Sequence, residues 1–110
     1  MEKITINTPG CISEILVGQN WETVAGLLPE KGVVIITDDN VNQLYGNRFP
    51  EVPVFSLLPG EKSKKLEVIE NLAEQLLDAG IDRAGFVLAV GGGVVCDIAG
   101  FLASIFMRGI

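Results

Sequence analysis

Histidine is absent from the chain. That absence removes the commonest general base and the commonest zinc ligand from any chemistry these residues could perform alone. Cysteine is nearly absent too: Cys11 and Cys96 lack metal-type spacing, and with no signal peptide visible a reduced, cytoplasmic compartment and two plain thiols are expected. Long hydrophobic runs are missing. The run between Asp97 and Arg108 is ten residues, 98–107, and no run reaches the roughly 20 that span a bilayer, so no membrane partner is expected. Cations are scarce, with eight Lys and Arg against fourteen Asp and Glu, a net charge of -6 and a pI near 4.5. No basic stripe with interleaved aromatics occurs, which argues against a nucleic-acid partner, and an anionic ligand would need donors supplied locally.

What the 110 residues do contain is apolar substance for one small domain, at 48% hydrophobic with a mean hydropathy of +0.42. The organising stretch is Phe86-Val-Leu-Ala-Val90, three glycines at 91–93, and an almost wholly apolar segment after them. It predicts a buried strand, a glycine turn and a helix start. At such a junction the first amides of the helix are unpaired, and missing Cβ atoms let a phosphate come close. A tight turn without a ligand fits the glycines equally well, because neither the G-x-G-x-x-G nor the Walker spacing is present. Asp97, placed in the first helical turn, either caps the helix or accepts from a ligand hydroxyl.

In chain order, residues 4–7 and 14–17 flank Thr8-Pro9-Gly10 and predict a hairpin-like pair at a sheet edge. Asn20 is placed to cap a short helix carrying Trp21, Val24, Ala25 and Leu28, which Pro29 stops. Residues 33–37 have the continuous β-branched character of a strand covered on both faces. Asp38, Asp39 and Asn40 follow it and either contact a ribose or cap the short helix that carries Val41, Leu44 and Tyr45. A strand at 54–58 leads through Pro59-Gly60-Glu61-Lys62-Ser63-Lys64 into a helix with Leu66, Ile69, Leu72, Ala73, Leu76 and Leu77 on its apolar face. Ser63 is expected at its N-cap and Gly80 at its C-cap. For Glu61 and Lys64 taken alone, a solvated surface turn is the simpler assignment.

The βαβ rhythm predicts an α/β fold, a Rossmann-like and mostly parallel sheet with helices on both faces. It would bring three loops, 38–40, 60–64 and 91–97, to one sheet edge. Their joint meaning is an extended phosphate-bearing ligand such as a dinucleotide. Phe106-Met107-Arg108-Gly109 closes the last helix where another strand would be expected, so the chain is expected to be the amino-terminal piece of a longer protein.

Together, TDDN at 37–40, PGEKSK at 59–64, GGGVVCDIAGF at 91–101 and FMRG at 106–109 resemble the amino-terminal part of the 3-dehydroquinate synthase family. The resemblance implies a two-domain, homodimeric, cytoplasmic shikimate-pathway enzyme that uses NAD and a divalent metal, zinc or cobalt. Such an enzyme turns a sugar phosphate, 3-deoxy-arabino-heptulosonate 7-phosphate, into 3-dehydroquinate and phosphate, with NAD returned unchanged. It implies that residues 1–110 are an incomplete NAD-binding domain, the metal-binding helical domain lying outside the chain. The implied NAD contacts are Asp38, Asn40, Gly60, Glu61, Lys64, Gly93, Val94, Val95 and Asp97. The implied role of Arg108 is in a substrate phosphate site across the dimer interface, against the simpler one of a cation at a helix C-terminus. No metal ligand and no catalytic residue is implied within 1–110, so the chain alone is expected to be inactive. Cys96 stands where the family usually has glycine, which is expected to crowd the loop if that backbone approaches a pyrophosphate. Another sugar-phosphate cyclase, a glycerol dehydrogenase-like polyol oxidoreductase and a non-catalytic binding module are the alternatives.

Overall fold

The computed structural model describes residues 2–110. Val33–Asp38 forms β3, the middle strand of a three-stranded parallel sheet ordered β4-β3-β5, with β4 at Val54–Leu57 and β5 at Phe86–Val90. Ile35 pairs with Val54 on one side and Leu88 on the other. An unbroken β-branched run belongs at such a position, because it is covered on both faces and hydrogen-bonded on both edges. Val34, Ile35, Ile36 and Thr37 are accordingly sealed from solvent.

The chain leaves β3 for β4 in one direction and returns past β3 to reach β5. Right-handed crossovers therefore place α2 (Asp39–Tyr45) and α3 (Leu66–Asp78) on opposite faces. Val34 and Ile36 look toward α3 and α4 (Gly93–Ile105), where they join Leu57, Ile69, Leu72, Leu76, Val95, Ile98, Leu102 and Phe106 in the core. Val33 and Ile35 alternate to the other face, as a strand's period of two requires. α1 (Trp21–Leu27) is capped by the Asn20 side chain on the Thr23 amide, and the ring of its first residue, Trp21, lies 5.7 Å from that of Phe49.

α3 ends as expected, with Gly80 at φ 79 and two reversed hydrogen bonds, Gly80 N–H to Leu77 and Ile81 N–H to Leu76. Its apolar face is narrower than the sequence suggests. Ile69, Leu72 and Leu76 are buried, but Leu66 is 76% exposed and Leu77 53%, because the stripe is wider than the surface that covers it. Ser63 does not cap α3. The helix begins after Lys65, and the buried Ser63 hydroxyl instead donates to the Leu58 carbonyl at 2.6 Å, bracing the loop from inside.

The hairpin forms but does not lie at the edge of the main sheet. β1 (Glu2–Thr8) and β2 (Cys11–Val17) make a separate two-stranded antiparallel sheet that is exposed along nearly its whole length.

Candidate functional site

Register sets the site. Thr37 on β3 lies level with Ser56 on β4 and with Val90 on β5, so the three strands finish together and their loops emerge on one edge. The strand order reverses between β3 and β5, and that crevice is where open α/β sheets bind ligands. Thr37 closes the floor of the crevice. Its hydroxyl, fully buried, donates to the Val90 carbonyl at 2.7 Å and ties the glycine loop's root to the central strand.

The three glycines have different reasons to be there. A Cβ on Gly91 would lie 2.9 Å from Val95 Cγ2, so this glycine lets the first turn of α4 fold back on β5. Gly92 and Gly93 meet nothing within 4 Å, and neither has a positive φ. Their bareness answers no internal packing need and leaves room for a ligand to reach the backbone. The first i→i−4 bond of α4 runs from the Cys96 amide to the Gly92 carbonyl at 3.0 Å. The amides of Gly93, Val94 and Val95 therefore have no intrahelical acceptor and carry the positive end of a 13-residue helix. These residues suit a dinucleotide pyrophosphate.

Cys96 is the fourth residue of α4, exposed, with its amide already engaged. Its thiol lies 3.9 Å from the Gly91 carbonyl, beside the glycine turn. Asp97 is the fifth residue, past the first turn, and does not cap the helix. Its carboxylate instead reaches across to Lys64, Nζ to Oδ2 at 2.7 Å, while Glu61 approaches the same ammonium at 3.3 Å. The two loops are thus joined by a cation between two anions. A cleft of about 310 Å³ opens beside this bridge, lined chiefly by Leu66, Ile69, Ile98 and Phe101.

The hydrogen bond to Asp97, then that to Glu61, raises the Lys64 pKa above its ordinary value. A raised lysine pKa means the bridge is intact below the unfolded-state value near 10.5 and is lost only as pH climbs through the higher folded value. We expect Lys64 to titrate above the ordinary lysine value of 10.5 in a ¹³Cε-detected NMR titration. Asp97→Asn should bring it back toward that value.

Gly60 sits at φ 103 and ψ 167, a backbone region open essentially to glycine alone, so its place in the loop is conformational. At the end of β3 two neighbouring carboxylates take different partners. Asp38 Oδ1 accepts from the Val41 amide at 2.8 Å, capping α2, while Asp39 accepts from the Ser56 hydroxyl on β4. Asn40 is exposed in the first turn of α2. Asp38, Asn40, Gly60, Glu61, Lys64, Gly93, Val94, Val95 and Asp97 therefore share one sheet edge. Sequence reasoning missed Ser56, whose only signal was a lone hydroxyl in an otherwise apolar strand.

Arg108 is not part of this group. It follows α4 in a left-handed turn, Met107 at φ 50 and Arg108 at φ 67, rather than lying on the helix, so the dipole assignment does not hold. Thirteen helical residues separate it from the glycine loop by roughly 20 Å. Among the described residues no three His, Cys, Asp or Glu side chains converge to hold a metal ion, so these residues offer no seat for the divalent metal that the resemblance implies. Among them, too, no helix is long and apolar enough to cross a membrane.

Proteins of known identity are similar to the chain along nearly its whole length. The chain is 39% identical over 124 residues to the 3-dehydroquinate synthase of Alkaliphilus metalliredigens, with 100% of the chain and 33% of that protein covered. It is 36% identical over 121 residues to that of Streptococcus sanguinis, covering 98% and 34%. The chain thus spans about a third of the length of these relatives. Among solved structures, 2-deoxy-scyllo-inosose synthase complexed with carbaglucose-6-phosphate, NAD+ and Co2+ superposes with a TM-score of 0.74 at 26% identity, over 99% of this chain and 33% of that one. A second structure of a 2-deoxy-scyllo-inosose synthase gives 0.77 at 25% identity, over 99% and 34%. The family model for the amino-terminal part of 3-dehydroquinate synthase matches residues 54–110, which carry β4, the Lys64 loop, the glycine turn and α4. With the strand order, the bare glycines and the bridged loops all on one edge, the chain belongs to the 3-dehydroquinate synthase family, as its amino-terminal part.

Proposed function

We propose that this chain is the NAD-binding portion of a 3-dehydroquinate synthase, which converts 3-deoxy-arabino-heptulosonate 7-phosphate to 3-dehydroquinate and phosphate. The observation that carries the proposal is the open space over Gly92 and Gly93, facing the unpaired amides of α4 beside the Lys64–Asp97 bridge. In this assignment the amides of Gly93, Val94 and Val95 receive the pyrophosphate. Lys64 offsets its charge, and Glu61, Asp97, Asp38 and Asn40 accept from or donate to ribose and nicotinamide groups. The cofactor supplies transient hydride acceptance when bound. The chain's own contribution is to bind and orient it: Thr37 and Ser63 hold the loop roots, Ser56 holds Asp39, and Asp97 accepts from Lys64 Nζ.

In the whole enzyme, Arg108 presents a guanidinium fork to the substrate phosphate of a second subunit, in keeping with its distance from the chain's own glycine loop. Metal ligands and catalytic groups come from outside these residues. The polypeptide acts in the cytoplasm as a homodimer. Another sugar-phosphate cyclase is the competing assignment, as the structural neighbours illustrate, but identities of 36–39% to 3-dehydroquinate synthases against 25–26% to those neighbours favour the former.

The test is a calorimetric titration with NAD, run on the wild-type chain and on Asp97→Ala after circular dichroism shows both folded. We expect saturable binding by the wild type, weakened about tenfold by the loss of one charge-assisted hydrogen bond. A folded wild-type chain that binds no NAD would overturn the assignment for this part of the protein.

A further inference from the structure

The β1–β2 hairpin leaves one apolar face half exposed. A lone two-stranded sheet is marginal in water, yet Ile4, Ile6, Ile15 and Val17 share one of its faces and remain 46–49% exposed. Among the described residues no strand pairs with either outer edge. Such an edge is a template for another strand.

The two edges are not equivalent. Pro9 and Gly10 form a two-residue turn that pairs Thr8 with Cys11, so alternation directs the N–H and C=O groups of Lys3, Thr5 and Asn7 to the free edge of β1. The same rule directs Ile12, Glu14 and Leu16 to the free edge of β2. Pairing β2 with itself in antiparallel sense sets Glu14 opposite its own copy, or opposite Ile12 or Leu16 when shifted. Like charges or a charge facing an apolar side chain result, and both are unfavourable. β1 has no such conflict. It runs from residue 2 to residue 8, so its centre is Thr5, and self-pairing there opposes Thr5 to Thr5, Lys3 to Asn7 and Glu2 to Thr8 as hydrogen-bonding or neutral neighbours. The same register sets Ile4 beside Ile6 on the apolar face.

We propose that β1 pairs antiparallel with β1 of a second copy of this chain across a two-fold axis at Thr5, making a four-stranded sheet β2-β1-β1-β2. The proposal deepens the homodimer assigned above and rests on it only for the expectation of a second copy. Edge-to-edge pairing of this kind is isologous and closes at two subunits.

Thr5→Pro tests it, because the amide it removes points away from β2 and the hairpin's own ladder is untouched. By sedimentation equilibrium the wild-type chain should be a dimer and Thr5→Pro should show half its mass, whereas Glu14→Pro, the matching change on the other edge, should stay dimeric. A second variant does not depend on dissociation. In a Cys11→Ser, Cys96→Ser background, Thr5→Cys should cross-link to dimer with glutathione disulfide, since opposed Cα atoms lie about 5.5 Å apart. Lys3→Cys should not, its two copies being separated by roughly 13 Å along the strands. A monomeric wild type, or an undiminished Thr5→Pro dimer together with no Thr5→Cys cross-link, would overturn the proposal. NAD titration of the same samples keeps the two inferences apart, because loss of dimer with retained binding defeats only this one.

Discussion

Gly92→Val should abolish NAD binding, by roughly a hundredfold or more, while the chain keeps its fold. The backbone at Gly92, φ -86 and ψ -162, is extended and admits a β-branched residue without strain. A Cβ there meets nothing within 4 Å, so no internal contact is lost or crowded. The valine side chain would fill the space over the three free amides of α4, which is the space a pyrophosphate needs. Gly91→Ala should behave in the opposite way. Its Cβ would press on Val95, 2.9 Å from Cγ2 and 3.0 Å from Cβ, and Val95 is 1% exposed and cannot give way. We expect about 1–3 kcal/mol of lost stability by urea denaturation, an overpacking cost. If Gly92→Val bound NAD like the wild type, the first turn of α4 would not be the phosphate seat.

Leu102→Ala should remove about 3–5 kcal/mol of stability, the upper part of the range for a fully buried leucine. Leu102 is sealed from solvent on the inner face of α4, in the cluster that joins Val34 and Ile36 of the central strand to α3. A domain of this size has about 5–15 kcal/mol in total, so the variant stands near its unfolding threshold and should show a sharply lower urea midpoint. Leu77→Ala, the same deletion at a 53% exposed position of α3, should cost under about 1 kcal/mol. Equal costs at the two sites would mean that the core is not where α4 meets the sheet.

The parallel sheet was legible because its signal is local and strong: Val33-Val34-Ile35-Ile36 has no polar alternation, and Phe86–Val90 runs straight into three glycines. The convergence of three loops followed from strand order alone. What escaped were the particular partners that the polar side chains take once the loops close. Lys64 and Asp97 were each recognisable as polar residues at a strand end, but nothing along the chain says that they bond to each other over 33 positions. Ser63 looks like an N-cap because it precedes a helical pattern, and the Leu58 carbonyl that claims its hydroxyl is invisible until the loop closes. Asp97 falls just past the first turn of α4 and not within it, because glycines blur where a helix begins. The hairpin was found by its turn residues, but its separation from the main sheet depends on pairing that alternation cannot specify.

The position of β3 also decides when the molecule can fold. It is the first of the three parallel strands to be synthesised, yet it lies between the other two and is pinned through Thr37 to a carbonyl 53 residues later. A chain emerging at about 5–20 residues per second would therefore hold its most apolar segment, 33–36, without its final cover until residues 98–106 arrive. Long sequence separation between partners slows assembly, so this stretch is the one a nascent-chain chaperone would meet first.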